Sequence, residues 1–183
     1  MSFDPDPERF RQVLGHIATG ITIITATDDG EPVGFSCQAF AALSLEPPLV
    51  LFCPARTSST WPRIKRAGFF CANMLTADQG HLATLFGRSR PDRFSNVKWK
   101  QDSAGSPIID GALTWVSCEI RDVHTIGDHY VVIGQVRELG EIGPQRPLLF
   151  YRGRYGTSAI PETEGPPEVV ETMLAWPKHA DWM

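Results

Sequence analysis

Four consecutive hydroxyl side chains are the first group whose types and spacing could do chemistry: Thr57, Ser58, Ser59 and Thr60. They directly precede Trp61, where a short helix is predicted to begin. The free N–H groups and the positive end of the dipole at a helix start can bind an anion, and hydroxyls add donors. One hydroxyl that caps the helix, with the others at the surface, explains the same pattern. The segment therefore indicates either an anion site or an ordinary helix start.

The segment GFSCQA, residues 34–39, carries groups that could contact a heteroaromatic ring. Gly34 lets a flat ligand approach the backbone. Strand alternation would put Ser36 and Gln38 on one face, where they offer donors and acceptors to a ring edge. A strand with a bulge and a few satisfied polar groups is the alternative.

His129 follows a predicted turn at Gly127 and Asp128. Its imidazole could clamp a ligand, donate a proton or lie exposed as an ordinary turn residue. Asp128 could hold the ring by a hydrogen bond.

The segment FYRGRY, residues 150–155, brings two arginines, two tyrosines and a glycine together at the end of the last predicted strand. Guanidinium and aromatic groups suit a phosphate or a stacked nucleotide. In the alternative interpretation, Arg152 and Arg154 share one strand face and point into water.

Several kinds of site are excluded or disfavoured. The chain has no G-x-G-x-x-G, P-loop, H-E-x-x-H or G-x-S-x-G motif, which argues against a Rossmann dehydrogenase, a P-loop nucleotidase, a zincin and an α/β-hydrolase. The four cysteines contain no C-x-x-C pair, and each lies in an apolar stretch. We expect buried free thiols, with no metal and no disulfide.

The elements that must position these groups are mostly strands. Apolar and β-branched runs predict strands over residues 21–28, 33–45, 49–54, 69–75, 113–126, 129–142 and 147–155, with a possible short strand at 97–99. Helices are predicted over 8–19, 61–67 and 77–86, and the first has Phe10, Val13, Leu14 and Ile17 on one face. Hairpin signals at Asp29-Gly30 and Gly127 predict a mainly β, antiparallel barrel with short helices.

Charge divides the 183-residue chain into two parts. Residues 157–183 hold five acidic side chains against one lysine, so they carry the whole net charge of −4, whereas residues 1–156 are balanced. We predict a domain over 1–156 and an acidic, Pro-rich tail over 157–183. A neutral domain argues against nucleic-acid binding. No apolar run suits a membrane span and no signal peptide is evident, so we expect a cytoplasmic protein.

Five stretches in consistent order resemble the short-chain flavin reductases, the reductase components of two-component flavin-dependent monooxygenases. Within that family the chain is most similar to reductases of aromatic hydroxylases, including the actinobacterial enzyme system for a phenolic steroid-degradation intermediate. The matching stretches are TGITIITA (19–26), GFSCQAFAALSLEPPLVLFCP (34–54), SSTW (58–61), GDHYVVIGQV (127–136) and PLLFYRGRY (147–155).

The resemblance implies a flavin-binding split barrel, a Greek-key antiparallel barrel of six or seven strands that forms a homodimer. It further implies FAD or FMN near the dimer interface, NADH or NADPH as the reductant, and a separate monooxygenase that receives reduced flavin. The implied isoalloxazine contacts are Val33, Gly34, Phe35, Ser36, Cys37, Gln38 and Ala39, with Cys53, Pro54, Ala55, Leu85 and Phe86. The implied phosphate site is Ser58, Ser59 and Thr60, and the implied nicotinamide side is His129, Arg152, Gly153, Arg154 and Tyr155.

One position departs from the family pattern. Many relatives have a Ser/Asn-Ser pair where this chain has Gln38-Ala39, so a hydroxyl contact to the ring is missing at Ala39. Backbone N–H groups could replace it. The departure bears on ring affinity and on the choice between FMN and FAD.

The resemblance also implies a mechanism with few demands on side chains. Hydride transfer between stacked rings requires positioning rather than a paired acid and base, which suits the absence of such a pair from the motifs. We predict that His129 orients the nicotinamide and is not an obligatory proton donor. The alternatives are a split barrel that binds flavin or haem without turnover, and a flavin oxidase of the pyridoxamine-phosphate type.

Overall fold

The computed structural model describes residues 6–159. The helices are α1 (Pro7–Leu14), α2 (Trp61–Ala67) and α3 (Gly80–Phe86), with a 3-10 turn at Ala77–Gln79 before α3. The strands are β1 (Thr19–Gly20), β2 (Thr22–Asp28), β3 (Glu31–Cys37), β4 (Phe40–Leu45), β5 (Pro48–Phe52), β6 (Phe69–Met74), β7 (Trp99–Gln101), β8 (Pro107–Ile109), β9 (Thr114–Ile126), β10 (His129–Leu139), β11 (Leu149–Tyr151) and β12 (Arg154–Gly156).

Seven strands form one antiparallel sheet in the order β3-β2-β6-β9-β10-β5-β4. Its two outer strands, β3 and β4, are consecutive in the chain and only Gln38 and Ala39 separate them. The sheet must therefore curve until its outer strands approach each other, which gives a barrel. The prediction of a mainly β, split-barrel fold with short helices is confirmed.

The barrel interior is filled by side chains that alternate along the strands. Phe52, Phe70, Ile24 and Val132 are fully buried there, and the rings of Phe52 and Phe70 meet edge to face at 4.8 Å. A second apolar cluster lies outside the barrel, under α3, and consists of Ile21, Ile23, Leu75, Leu82, Ala83, Phe86, Ile109 and Leu148.

The hairpin predicted at Asp29-Gly30 is present between β2 and β3. Both residues have a positive φ, 52° and 80°, as a two-residue turn matched to strand twist requires. The hairpin predicted at Gly127 is also present, between β9 and β10.

The stretch 147–155 was predicted as one strand at the end of the barrel, and this prediction is wrong. It contains β11, a turn and β12, which pair with β1 in a separate three-stranded sheet. Arg152 and Gly153 form the turn with φ of 50° and 78°. Arg152 is thus a turn residue rather than one of two arginines on a strand face.

Two other boundaries differ from the sequence prediction. The run 33–45 is interrupted at Gln38-Ala39, where the Phe40 N–H donates to the Gln38 carbonyl at 3.0 Å. Helix α1 ends at Leu14 because Gly15 caps it, well before Gly20. Its apolar residues Phe10, Val13 and Leu14, and Ile17 beyond it, remain exposed.

Most of the predicted acidic tail, residues 157–183, lies outside the described residues, which end at Ala159. Between residues 6 and 159 no helix is long and apolar enough to cross a membrane. All four cysteines are free, and Cys37, Cys71 and Cys118 are buried, as predicted, whereas Cys53 is only partly buried.

Candidate active site

A cavity of about 470 Å³ opens beside the ends of β3 and β5. Most of the predicted site residues line this cavity, although they are spread over some ninety positions of the chain. Its predicted lining residues are Phe35, Ser36, Cys37, Gln38, Ala39, Cys53, Pro54, Ala55, Ser58, Ser59, Thr60, Phe86 and His129, and Thr57, Gly87, Ser89 and Arg93 complete the wall.

Backbone pairing brings the first two segments together. Phe40 pairs with Phe52 across β4 and β5, and the Cys53 N–H donates to the Ala39 carbonyl at 3.1 Å. Gln38 lies after the end of β3, so the expected alternation with Ser36 on one strand does not apply. Both residues nevertheless line the cavity.

The turn between β9 and β10 is hydrogen-bonded to the segment that follows β5. The Tyr130 N–H donates to the Pro54 carbonyl and the Arg56 N–H to the Asp128 carbonyl, both at 2.9 Å. Ala55 forms an isolated bridge with His129. These contacts fix the imidazole of His129 at the cavity.

Asp128 orients the ring of His129, as the sequence suggested. The Nδ1 atom of His129 lies 2.7 Å from Asp128 Oδ1. This hydrogen bond holds the pKa of the Asp128 carboxyl below its ordinary value, since it favours the charged form. The other ring nitrogen, Nε2, makes no hydrogen bond to the described part of the chain.

The four hydroxyls before α2 divide into two pairs. Ser58 Oγ accepts the Trp61 N–H at 3.1 Å, and Thr60 Oγ1 accepts from Arg93 at 2.9 Å. The hydroxyls of Thr57 and Ser59 form no hydrogen bond within residues 6–159, and both residues are exposed at the cavity. The hydroxyl of Ser58 thus accepts the first N–H of the helix, as at an ordinary helix start. The anion site at this segment stays a prediction.

Arg93 is a buried cation in the cavity wall. Its Nη1 donates to the Gly34 carbonyl at 2.5 Å and to Thr60, and its Nε donates to the Arg88 carbonyl at 2.7 Å. The residue is 9% exposed, and burial lowers the pKa of the guanidinium. All its acceptors in the described chain are neutral, so its charge is available to an anionic ligand.

Helix α2 is anchored to the barrel by one buried carboxylate. Asp28, at the end of β2, accepts Arg63 Nε at 2.8 Å and both Nε and Nη2 of Arg66, at 2.8 and 2.6 Å. The two guanidinium groups lower the pKa of Asp28, Arg66 more than Arg63. The anchor fixes the hydroxyl segment at the start of α2 relative to β3.

Comparison with known proteins assigns the chain to a family. The flavin reductase like domain family matches residues 14–159, most of the chain and nearly all of its barrel. The chain belongs to this flavin reductase family. It is therefore a flavin reductase, and the family predicted from five short stretches is confirmed.

The most similar relatives and structures agree on the family. The chain is 55% identical over 150 residues to the flavin-dependent monooxygenase reductase subunit HsaB of Rhodococcus jostii, covering 82% of this chain and 77% of the relative. The crystal structure of nitrilotriacetate monooxygenase component B from Mycobacterium thermoresistibile is 50% identical, with a TM-score of 0.83 and coverage of 88% and 90%. The NADH:FAD oxidoreductase SgcE6 of Streptomyces globisporus is 30% identical, with a TM-score of 0.81 and coverage of 87% and 98%.

The cavity of this flavin reductase has the donors that a flavin phosphate needs. Arg93 supplies a buried positive charge with neutral partners, and Thr57 and Ser59 supply two hydroxyls with no partner in the described chain. Phe35, which is partly exposed, adds apolar surface for a ring, whereas Phe86 is buried behind the wall. The residues present therefore fit the group that the family implies.

Three predicted ring contacts lie off this cavity. Val33 and Gly34 line an adjoining cavity, and Leu85 packs against the apolar cluster under α3. A Cβ on Gly34 would lie 2.9 Å from the Ile24 carbonyl and 3.3 Å from Phe86. The space that Gly34 leaves is thus occupied by the protein itself and does not admit a ligand on that side.

The segment Arg152 to Tyr155 lines a different depression from that of His129. Tyr155 packs close to Gly80, at the start of α3, whereas Phe86 lines the 470 Å³ cavity from the end of α3. The two residues of α3 are separated by a helix rise of about 9 Å. The role of this segment in nucleotide binding stays a prediction.

Sequence reasoning missed Gly87, Ser89 and Arg93. Thr57 was included in the hydroxyl run but not in the phosphate site that the resemblance implied. Arg93 is one of three arginines within residues 88–93 of a polar loop, and nothing local distinguishes it from the other two. Its burial depends on contacts with residues 33 and 59 positions away.

Proposed function

We propose that this flavin reductase oxidises NADH, reduces FAD or FMN, and supplies the reduced flavin to a separate flavin-dependent monooxygenase. The observation that carries the proposal is the buried guanidinium of Arg93 beside the free hydroxyls of Thr57 and Ser59. A relative with 55% identity is named a monooxygenase reductase subunit, and one with 30% identity is named an NADH:FAD oxidoreductase. The first of these names supports a monooxygenase partner here, and the second supports NADH and FAD as the substrates.

The side chains of the cavity have a positioning task. A bound flavin supplies the hydride acceptor and a nicotinamide nucleotide the hydride. Arg93 and the hydroxyls of Thr57 and Ser59 hold the phosphate, while the backbone of Gln38 and Ala39 and the ring of Phe35 bound the opposite wall. No carboxylate occurs among the lining residues from the described chain, so no acid–base pair is assembled there.

His129 is proposed to orient the nicotinamide. Asp128 holds Nδ1, which leaves Nε2 on the far side of the ring to meet a ligand. The side chain is half exposed at 47%, so an incoming nucleotide can reach it. In this role His129 offers a hydrogen bond and takes no obligatory part in proton transfer.

The hairpin β11–β12 is proposed to bind the part of the nicotinamide nucleotide that is farthest from the nicotinamide ring. Arg152 and Arg154 form no ion pair within the described residues, and Tyr151 and Tyr155 are exposed beside them. This hairpin adjoins the start of α3 and the site cavity adjoins its end, an arrangement that suits a ligand with two separated nucleotide halves. An arginine pair can meet a ribose phosphate, so NADPH is a possible second reductant.

We further propose a homodimer in which the activity resides in residues 1–156. The apolar side chains of α1 and the outward residues of β4, including Leu43 and Leu45, are exposed in the single chain. Apolar surface of this kind favours association. Sedimentation analysis at micromolar concentration should give twice the chain mass, and a monomer would contradict the dimer alone.

The decisive experiment is NADH consumption at 340 nm with added FAD, FMN or riboflavin, repeated with NADPH. We expect consumption that depends on added flavin and is faster with NADH. A tightly bound cofactor without NADH oxidation would favour a binding barrel, and oxidation of a pyridoxamine-type substrate would favour an oxidase. Failure of all three flavins with both nucleotides would overturn the proposed function.

A further inference from the structure

The four thiols of the described chain fall into two pairs of neighbours, and the pairs differ in whether their sulfur atoms can meet. Cys71 and Cys118 lie on the neighbouring strands β6 and β9. Cys37 ends β3 and Cys53 follows β5, and both line the site cavity beside the ends of these strands. The proposed function gives none of the four sulfurs a task.

Strand alternation separates Cys71 from Cys118. Cys71 pairs with Ser117 and Cys118 pairs with Phe70, so the two cysteines stand diagonally across the ladder. Cys118 packs with Phe70 in the barrel interior, whereas Cys71 follows Phe70 in the chain and points to the outer face of the sheet. A disulfide requires Cβ atoms about 3.5–4.5 Å apart, which side chains on opposite faces do not reach.

The carbonyl oxygen of Ala39 brings Cys37 and Cys53 together. The Cys37 thiol donates to this oxygen at 3.5 Å, and the Cys53 N–H donates to the same oxygen at 3.1 Å. Burial raises the pKa of Cys37 to about 11, although hydrogen bonding from the Cys53 N–H lowers it, so this N–H also reaches the sulfur. The Cys37 thiol is therefore held against the backbone of Cys53.

The two thiols differ in their access to the site cavity. Cys37 is 5% exposed, whereas Cys53 is only partly buried. Burial raises the pKa of both thiols, so both are mostly protonated at neutral pH and react slowly. A small oxidant in the cavity meets Cys53 first, and Cys37 lies where a second thiol is needed to resolve the oxidised sulfur.

We propose that hydrogen peroxide links Cys37 and Cys53 by a disulfide, and that this disulfide slows flavin reduction. The inference goes beyond the proposed function, which supplies the source of the oxidant. Reduced flavin that no acceptor takes reacts with O₂ to give oxidised flavin and hydrogen peroxide. The disulfide thus lowers the supply of reduced flavin when that flavin is not consumed.

The oxidation balances in two steps. The sulfur of Cys53 attacks one oxygen of the peroxide, the O–O bond breaks, and Cys53 becomes a sulfenic acid while one water leaves. The sulfur of Cys37 then attacks the sulfenic sulfur, the S–S bond forms, and the hydroxyl leaves as a second water with the thiol proton. Two thiols are oxidised to one disulfide, and one hydrogen peroxide is reduced to two waters.

The new bond changes the wall of the site cavity. On oxidation Cys37 loses the proton that it donates to the Ala39 carbonyl, and its sulfur turns to Cys53 to form an S–S bond of about 2.05 Å. Ala55, two residues after Cys53, forms a bridge with His129. A shift at Cys53 therefore reaches both the β3 side of the cavity and the turn that carries His129.

Mass spectrometry of the whole, unliganded chain tests the bond directly. The reduced chain is treated with hydrogen peroxide, its free thiols are blocked with iodoacetamide under denaturing conditions, and it is digested with chymotrypsin, which can cleave after Phe40, between the two cysteines. We expect linked peptides that hold Cys37 and Cys53, with Cys71 and Cys118 alkylated. A sulfenic or sulfinic acid at Cys53 alone, a bond between the Cys53 residues of two copies, or no oxidation would overturn the assignment.

The rate of flavin reduction, measured after the peroxide is removed by desalting, tests the consequence. Oxidation should lower kcat/KM for flavin about tenfold, because the cavity wall is displaced, and dithiothreitol should restore it. Cys37→Ala should keep most of its own activity after the same treatment. Cys71→Ala is the matched control, because it removes a thiol that cannot bridge, and it should lose activity as the unmodified chain does.

Two kinetic outcomes would overturn the regulatory role: full activity of the disulfide form, or equal losses in Cys37→Ala and the unmodified chain. The mass-spectrometric result on the unmodified chain does not depend on whether the variants fold. Absence of NADH- or NADPH-driven flavin reduction before oxidation would contradict the proposed function, and the linked peptides would still decide whether the disulfide forms.

Discussion

The guanidinium of Arg93 donates from Nη1 to the hydroxyl of Thr60 at 2.9 Å, across 33 positions of the chain. This contact joins the loop after α3 to the start of α2, and the same nitrogen joins both to the Gly34 carbonyl of β3. One buried side chain thus connects the loop after α3, the start of α2 and β3. Its charge is left for a ligand because its acceptors in the described chain are neutral.

Thr60→Val tests this contact with little change in shape. It removes the acceptor and leaves one N–H of a buried guanidinium unsatisfied, so we expect a loss of about 1–3 kcal/mol in the free energy of unfolding. Urea denaturation would measure it, and the Kd for flavin should rise several-fold. Ser59→Ala, whose hydroxyl has no partner in the described chain, should change stability by less than about 0.5 kcal/mol. An equal effect of both substitutions would refute the structural role of Thr60.

His129→Ala should raise the KM for NADH and lower kcat, reducing kcat/KM about tenfold, equivalent to about 1.4 kcal/mol. Flavin Kd should change little, because the phosphate contacts are elsewhere. Asp128→Asn should give a smaller loss in the same direction, since it weakens only the bond that orients the ring. His124→Ala, on the exposed part of β9, is the control. Unchanged KM and kcat in His129→Ala would exclude the proposed role.

Asp28→Asn should make stability depend less on pH. The folded pKa of Asp28 lies below its ordinary value of 3.8 because Arg66 and Arg63 hold the charged form. The contribution of Asp28 to the free energy of unfolding is therefore present above pH 3.8 and is lost as the pH falls through the folded pKa. The Tm of the variant should lie below that of the unmodified chain at pH 7. This difference in Tm should become smaller at acidic pH. A gap independent of pH would argue that Asp28 acts through packing rather than charge.

The thiols should differ in reactivity. Burial raises the pKa of Cys37 to about 11 and that of Cys118 to about 12, and it also raises the pKa of Cys71. Cys53 is only partly buried and lines the cavity beside the ends of β3 and β5. A thiol reagent at pH 7.5 should label Cys53 first, and saturating flavin should slow that labelling. Rapid labelling of all four thiols in the folded protein would contradict the burial of the other three.

Gly134→Ala should destabilise the barrel by about 1–3 kcal/mol through overpacking. A Cβ at this position of β10 would lie 2.5 Å from Cζ of Phe70 and 3.1 Å from Cβ of Cys118. Gly20→Ala is the matched control, because a Cβ there meets nothing within 4 Å. Thermal unfolding of both variants would test the packing, and a similar Tm for both would show that the barrel can relax around the added methyl group.

Local patterns were sufficient for most elements of the fold. The β-branched runs at 21–28 and 113–126 and the turn signals at Asp29-Gly30 and Gly127 predicted strands and hairpins that the structure contains. These predictions succeed because strand and turn preferences depend on neighbouring residues. The prediction of a single strand over 33–45 failed because the break at Gln38-Ala39 is imposed by pairing with β5. Apolar content alone does not reveal that break.

By itself the sequence determined the family and the barrel, because short motifs at the ends of strands carry that information, and it predicted most of the residues that line the cavity beside β3 and β5. Tertiary structure alone decided the roles of Arg93, Gly34 and the hairpin at Arg152. Arg93 is buried only because Gly34 and Thr60, which are distant in the chain, supply its acceptors. Gly34 accommodates Phe86, and Arg152 occupies a turn in a separate sheet. Such roles depend on which distant residues meet when the sheet closes, and no local preference specifies that.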